Sequence, residues 1–149
     1  MAFALRSPAF RPHSSIPQNY AQDGQNISPP LAWSGVPADA RSLVLFVEDP
    51  DAPGGTFTHW AGFDIDPRLG SLAAGAGNLR QGINDMGHPR YDGPRPPEGD
   101  PPHHYHFRLA ALDIDTLDLP EEPTYQEIKS AARGHVIGQA ELVGLFETK

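Results

Sequence analysis

The chain has no cysteine, which excludes a disulfide scaffold, a thiol nucleophile and any thiolate metal site at once. It is also short of positive charge, with eleven Lys and Arg against nineteen Asp and Glu and a formal net charge of −8. Such a surface repels phosphate backbones at long range, so no nucleic-acid partner is expected. No stretch approaches the roughly 20 apolar residues that cross a bilayer. The start, Met1 to Phe10, carries an Arg and a Pro and lacks the apolar run of a secretory leader. The expectation is a soluble, cytoplasmic protein with no transmembrane segment. Ser7, Ser14, Ser15, Ser28, Ser34, Ser42, Ser71 and Ser130 include no Gly-x-Ser-x-Gly elbow, so nothing marks a serine hydrolase.

What is present is punctuation. Seventeen prolines and fifteen glycines in 149 residues disfavour a helical bundle and point to strands separated by constrained turns. The length suits one domain, 1–149, with a core large enough to need no staples. Between residues 6 and 40, turn formers such as Pro12, Pro17, Asp23-Gly24, Pro29-Pro30 and Gly35 leave room only for short extended pieces. Ser42 to Glu48 is apolar on both faces and β-branched, the pattern of a central buried strand. Asp49-Pro-Asp-Ala-Pro-Gly-Gly55 then ends it, because prolines cannot continue a ladder. His59 to Asp66 reads as a second strand, on which a period of two puts His59, Ala61, Phe63 and Ile65 on one face. Residues 67–102 are mostly loop. His103 to Asp113 is a third strand, with Tyr105, Phe107, Leu109 and Ala111 alternating against His104, His106, Arg108 and Ala110. Thr124 with Glu127 has the form of a capping box, which predicts a helix over 125–133 ended by Gly134. His135 to Phe146 is a last strand. Trp33 and Trp60 read as core.

Five of the seven histidines, His59, His88, His103, His104 and His106, fall between residues 59 and 106. Asp49, Asp51, Asp85, Asp92, Glu98 and Asp100 stand beside them. Two chemistries compete. In one, imidazole N–H groups, a phenol and backbone N–H groups of the Gly/Pro arch 91–99 bind a small anion or phosphate group. The aspartates then act by accepting from an imidazole or phenol and fixing it in place. In the other, His104 and His106 put two imidazoles on one strand face, the cupin-like step of a metal-dependent enzyme. Simpler roles also exist: Asp49 and Asp51 can merely organise a turn, and His104 and His106 can merely face solvent.

Three stretches carry a resemblance. Asp23-Gly-Gln-Asn-Ile-Ser-Pro-Pro-Leu-Ala-Trp33 comes first. Asp49-Pro-Asp-Ala-Pro53 with His59-Trp60 follows. The third runs from Tyr91-x-Gly93-Pro94-x-Pro96-Pro97-x-Gly99 to His103-x-Tyr105-x-Phe107 and Ala111-Leu112-Asp113. In this order and spacing they resemble the phosphatidylethanolamine-binding proteins, also called Raf-kinase-inhibitor-like proteins, and specifically their short bacterial and archaeal branch. The resemblance implies a mainly β fold, a Greek-key antiparallel β-sandwich with one or two short peripheral helices. It also implies an anion pocket at one end of a sheet, built from Asp49, Asp51, Pro53, His59, Gly93, Pro94, Pro96, His103 and Tyr105. The implied function is binding rather than catalysis, of a phospholipid head group or another phosphate-bearing ligand. Regulation of a kinase or protease partner and a homodimer are further family expectations. No metal and no cofactor belong to the pattern.

An ionised carboxylate within about 4 Å of an anion repels it by about 4 kcal/mol at an effective dielectric near 20. Binding therefore requires His59 or His103 to be protonated, and a neighbouring Asp49 favours that state. On this reading affinity weakens as pH rises, and His103→Ala abolishes binding with thermal stability nearly unchanged.

Overall fold

The computed structural model describes residues 2–149. In chain order the strands are β1 (Ala4–Arg6), β2 (Leu31–Ser34), β3 (Ser42–Asp49), β4 (Phe57–Ile65), β5 (Ser71–Leu72), β6 (Arg80–Gln81), β7 (His103–Leu112) and β8 (Val136–Phe146), with the helix α1 (Tyr125–Ala132) between the last two. They form two antiparallel sheets, a small one ordered β1-β2-β5 and a large one ordered β6-β4-β3-β7-β8. The fold is mainly β and of the expected class.

All eight residues of β3 are buried, because both of its faces are covered. Leu43, Leu45 and Val47 pack with Leu31 and Trp33 of the small sheet. Val44 and Phe46 pack instead with Ile128 and Ala132 of α1. β7 keeps the alternation read from sequence: Tyr105, Phe107, Leu109 and Ala111 enter the core between the sheets, while His104 and Arg108 stay exposed. Each large side chain buried this way contributes roughly 1.5–3 kcal/mol. α1 starts at the capping box, with Thr124 accepting from the Glu127 backbone N–H and Glu127 reaching back to the Thr124 N–H.

β4 departs from a simple period of two. Its register against β3 shifts between Val47 and Glu48, so that Val47 faces Trp60 while Glu48 faces Thr58. His59 is the extra residue of this bulge. A second irregularity follows between Leu43 and Leu45, beside Asp64 at φ 54°. Ile65 consequently joins Trp60 in the core between the sheets, whereas Ala61 and Phe63 lie under α1. The expected common face of His59, Ala61, Phe63 and Ile65 is thus broken at both ends. A bulge re-aims a side chain, and this one sends His59 towards the end of the sheet where β3 stops and β7 begins.

Candidate functional site

At that end a cavity of about 330 Å³ opens between the β3–β4 turn, the arch 91–97 and the start of β7. Asp49, His59, His103 and Tyr105 form its polar lining, and Ala52, Pro53, Phe57, Met86, Pro96 and Pro97 make apolar walls. Gln22 and Arg95 complete the rim. Its size lies at the lower limit of small-molecule sites.

Asp49 is the last residue of β3 and points to the same side as Leu45 and Val47. Its Oδ2 lies 2.7 Å from His103 Nδ1, and its Oδ1 accepts the Asp51 backbone N–H at 2.8 Å. The other nitrogen of His103, Nε2, lies 3.0 Å from Asp100 Oδ2. Carboxylates accept only, so a His103 that satisfies both must donate from both nitrogens. Burial by itself would lower its pKa, but the hydrogen bonds and charges of Asp49 and Asp100 outweigh that and raise it above the ordinary imidazole value. His103 is held towards the imidazolium form.

His59 is different. Its Nδ1 donates to the Asp92 carbonyl at 2.8 Å, and burial pushes its pKa below the ordinary value despite that bond and the nearby charges of Asp49 and Asp92. The neutral ring therefore carries its proton on Nδ1 and leaves a lone pair on Nε2. The ring packs edge-on to Tyr105 with centroids 5.3 Å apart, and Phe57 flanks it at 4.8 Å. Tyr105 keeps its phenolic proton, since burial and then the Asp49 charge push its pKa up. Of the two histidines expected to be protonated beside Asp49, the geometry favours His103, which Asp49 contacts, whereas burial biases His59 to the neutral form.

The arch that closes the site is held from behind. Asn84 Nδ2 shares its two N–H groups among the carbonyls of His59 and Arg90 and Asp92 Oδ2, at 2.9, 2.8 and 2.9 Å. Asp92 also receives Asn26 on its Oδ1 at 3.2 Å and lies 2.8 Å from His88 Nδ1. Its burial raises the carboxyl pKa, yet the bonds from Asn84, His88 and Asn26 together bring it below the usual range. Gly93 donates its N–H to Asn26 Oδ1 at 2.6 Å. A Cβ on Gly93 would collide with the Tyr20 carbonyl oxygen, which already accepts the Tyr91 hydroxyl at 2.8 Å. Glycine is required there because two backbones meet.

Of the nine residues expected at the pocket, the structure brings six together: Asp49, Pro53, His59, Pro96, His103 and Tyr105. Asp51, Gly93 and Pro94 are not on its wall. Asp51 has left the strand and turned to His104, accepting its N–H at 2.8 Å and lying 2.7 Å from its Nδ1. These bonds hold its carboxyl below the usual pKa. Gly93 backs onto Tyr20, and Pro94 lines a separate hollow with Ile16 and Thr148. Gln22, Ala52, Phe57 and Met86 are not singled out by the sequence, nor is Asp100 as the second partner of His103, although its i,i+3 spacing is visible there; Arg95 and Pro97 belong to the arch 93–97 whose backbone is expected at the pocket. The expectation that loss of His103 spares stability also changes, because the residue is 3% exposed and holds a buried carboxylate.

His104 and His106 lie across the strand from the pocket. His106 sits 3.3 Å from Glu141. Among the described residues no group of three or more His, Asp or Glu side chains is placed to hold a metal ion, and the metal-enzyme alternative finds no support. A larger groove, about 600 Å³, lies at the opposite end of the strands near Pro37, Asp64 and Asp115. There Arg41 is committed to Asp115 through two 2.8 Å bonds, and no comparable set of convergent side chains faces it.

Comparison with known proteins gives consistent matches. A family model described as phosphatidylethanolamine-binding protein matches residues 6–147. A UPF0098 protein of Methanothermobacter thermautotrophicus is 46% identical over 149 residues, covering 95% of this chain and 97% of the relative. Among solved structures, a phosphatidylethanolamine-binding protein homologue from Chlamydia trachomatis superposes with a TM-score of 0.92 at 41% identity, covering 99% of each chain. YbcL of E. coli, described as a new member of the mammalian PEBP family, does so with a TM-score of 0.93 at 29% identity over 100% of both chains.

Proposed function

The chain belongs to the phosphatidylethanolamine-binding protein family, and from that premise we propose that it is a binding protein, not an enzyme, whose sheet-end pocket takes a small anionic group of the phosphate class. The observation that carries this reading is the convergence of His59, His103 and Tyr105 on one cavity, with His103 kept towards its charged form by Asp49 and Asp100. Family membership and fold support a binding-type protein in general. The phosphate class is the finer step, and it follows from the donors. A cationic imidazole and a phenolic O–H suit phosphoryl oxygens, and Arg95 adds a cation at the rim. The apolar walls of Pro53, Phe57, Met86 and Pro96 suit the organic part of a phosphorylated ligand. No serine, threonine or cysteine lines the cavity, so a covalent step has no nucleophile of those types there. A phosphate-bearing head group or a phosphorylated segment of a partner would present the same group to the same donors.

The test is calorimetric titration with inorganic phosphate, and with sulfate as an anion of fixed charge, from about pH 6 to 8.5. Affinity is expected to fall across this window as His103 loses its proton, and His103→Ala is expected to abolish binding. An affinity for sulfate that stays flat with pH would contradict the histidine-donor mechanism.

A further inference from the structure

We propose that Asp100 competes with the ligand for the pocket's donor: its carboxylate holds the second N–H of His103, so that a ligand binds by exchanging with it, and Asp100 thereby decides which anions the pocket accepts. This rests on the reading of the pocket as an anion site.

The two carboxylates on His103 are not equivalent. Asp49 is framework, because its side chain is 4% exposed and its second oxygen is tied to the Asp51 backbone. Asp100 has a side chain that is 38% exposed. It stands in a turn closed by its own N–H donating to the Pro97 carbonyl at 3.1 Å, next to Gly99 at φ 93°. Among the described residues its carboxylate has no partner besides His103. It can leave without breaking anything else. His59 offers no alternative N–H, since its Nδ1 is committed to the Asp92 carbonyl and burial keeps the ring neutral. The second imidazole N–H that a ligand oxygen would need is therefore the one that Asp100, beside the cavity rather than on its wall, covers.

The consequence is selectivity. A free carboxylate replaces Asp100 like for like, against a competitor whose tether gives it a high effective concentration. A phosphoryl group brings more charge and more oxygens, enough to reach His103 together with Tyr105, so it displaces the side chain where acetate fails. If the open arrangement is about a tenth of the population, removing the carboxylate raises apparent affinity about tenfold.

The experiment is titration of inorganic phosphate and of acetate into the wild-type chain, Asp100→Asn and Asp100→Ala at pH 7, with melting curves for all three. The expected result is melting within about 4 °C of wild type, as for a partly exposed ion pair, phosphate affinity about tenfold higher in both variants, and acetate binding that becomes measurable. Wild-type phosphate affinity retained or weakened in both variants would overturn the role of Asp100 while leaving the anion site standing. Absence of phosphate binding in all three proteins, each of them folded, would overturn the anion site itself and this inference with it.

Discussion

Replacing His103 by alanine tests the central ion pair and separates a structural contribution from a binding one. The side chains of His103 and Asp49 are each 4% exposed, and their contact is 2.7 Å. After truncation the Asp49 carboxylate keeps the Asp51 N–H and the neighbouring Tyr105 hydroxyl. A lost hydrogen bond to a charged group costs roughly 1.5–3 kcal/mol, and breaking a fully buried pair costs about 3–5. Water can enter from the pocket side, which argues for the lower range, about 2–3 kcal/mol. At about 2–4 °C per kcal/mol for a domain of this size, Tm falls by about 5–10 °C. The same reasoning fixes the double variant: Asp49→Asn removes the stranded charge, so His103→Ala with Asp49→Asn loses less than the two single changes added together, by about 1.5 kcal/mol or more. Urea unfolding of the four proteins followed by circular dichroism, at one pH near neutrality, measures the cycle. A coupling below about 0.5 kcal/mol, or a His103→Ala protein that melts with the wild type, would refute the account of Asp49 as a carboxylate that depends on His103.

Stability should also titrate with a definite sign. His103 has a raised pKa in the folded chain, so its contribution is complete below the unfolded value near 6.5 and is lost as pH rises through the folded value. His59 is lowered, so the unfolded chain takes up its proton first and stability falls as pH drops below about 6.5. Tm measured from about pH 5 to 9 should pass through a maximum near neutrality. His103→Gln should flatten the alkaline side alone, and an unchanged alkaline side in that variant would remove His103 from the explanation. Asn84→Ala deletes three donated bonds and the two that Oδ1 accepts from the Met86 and His88 backbones. The expected loss is about 3 kcal/mol, with faster amide exchange across the arch and weaker phosphate binding. Exchange rates and Tm both close to wild type would show that the arch holds itself.

Local pattern carried the elements that rest on local physics. β3 is legible because burial on both faces demands an unbroken apolar run, β7 because burial on one face demands alternation, and α1 because Thr124 and Glu127 close their own cap. His59 was assigned to the right strand and the wrong face, since one inserted residue inverts every later side chain and nothing in the composition of Thr58-His59-Trp60 announces the insertion. Asp51 failed for a related reason. It stands two residues after Asp49 and would share its face if the strand continued, but β3 ends at Asp49 and the turn rotates Asp51 out to His104. Gly93 and Pro94 belong to the recognisable motif because they let the arch pass against Tyr20, which a motif cannot distinguish from touching a ligand. Phe57, Met86 and Gln22 reach the cavity from three separate segments, and only tertiary packing brings them together. The opposite bias of two chemically identical histidines was beyond sequence reasoning, because it depends on whether a carbonyl or a carboxylate faces Nδ1.

That last distinction reconciles an acidic chain with the proposed anion pocket. A net charge of −8 acts over the whole surface, but at physiological ionic strength its field decays within about 8 Å. It therefore penalises a polyanion that must lie along many surface carboxylates, and it slows the approach of a small ion only modestly, most at low salt. At the pocket the contacts are 2.7 and 3.0 Å long, well inside that screening distance, and the sign of the nearest group governs. Asp49 and Asp100 do not make the site negative in the sense that matters to a ligand, because both are already spent in holding a proton on His103. An arriving phosphoryl group that displaces Asp100 meets a cation whose charge is maintained from the far side by Asp49. The same carboxylates that lower the net charge of the chain are thus what hold the buried His103 towards its charged form.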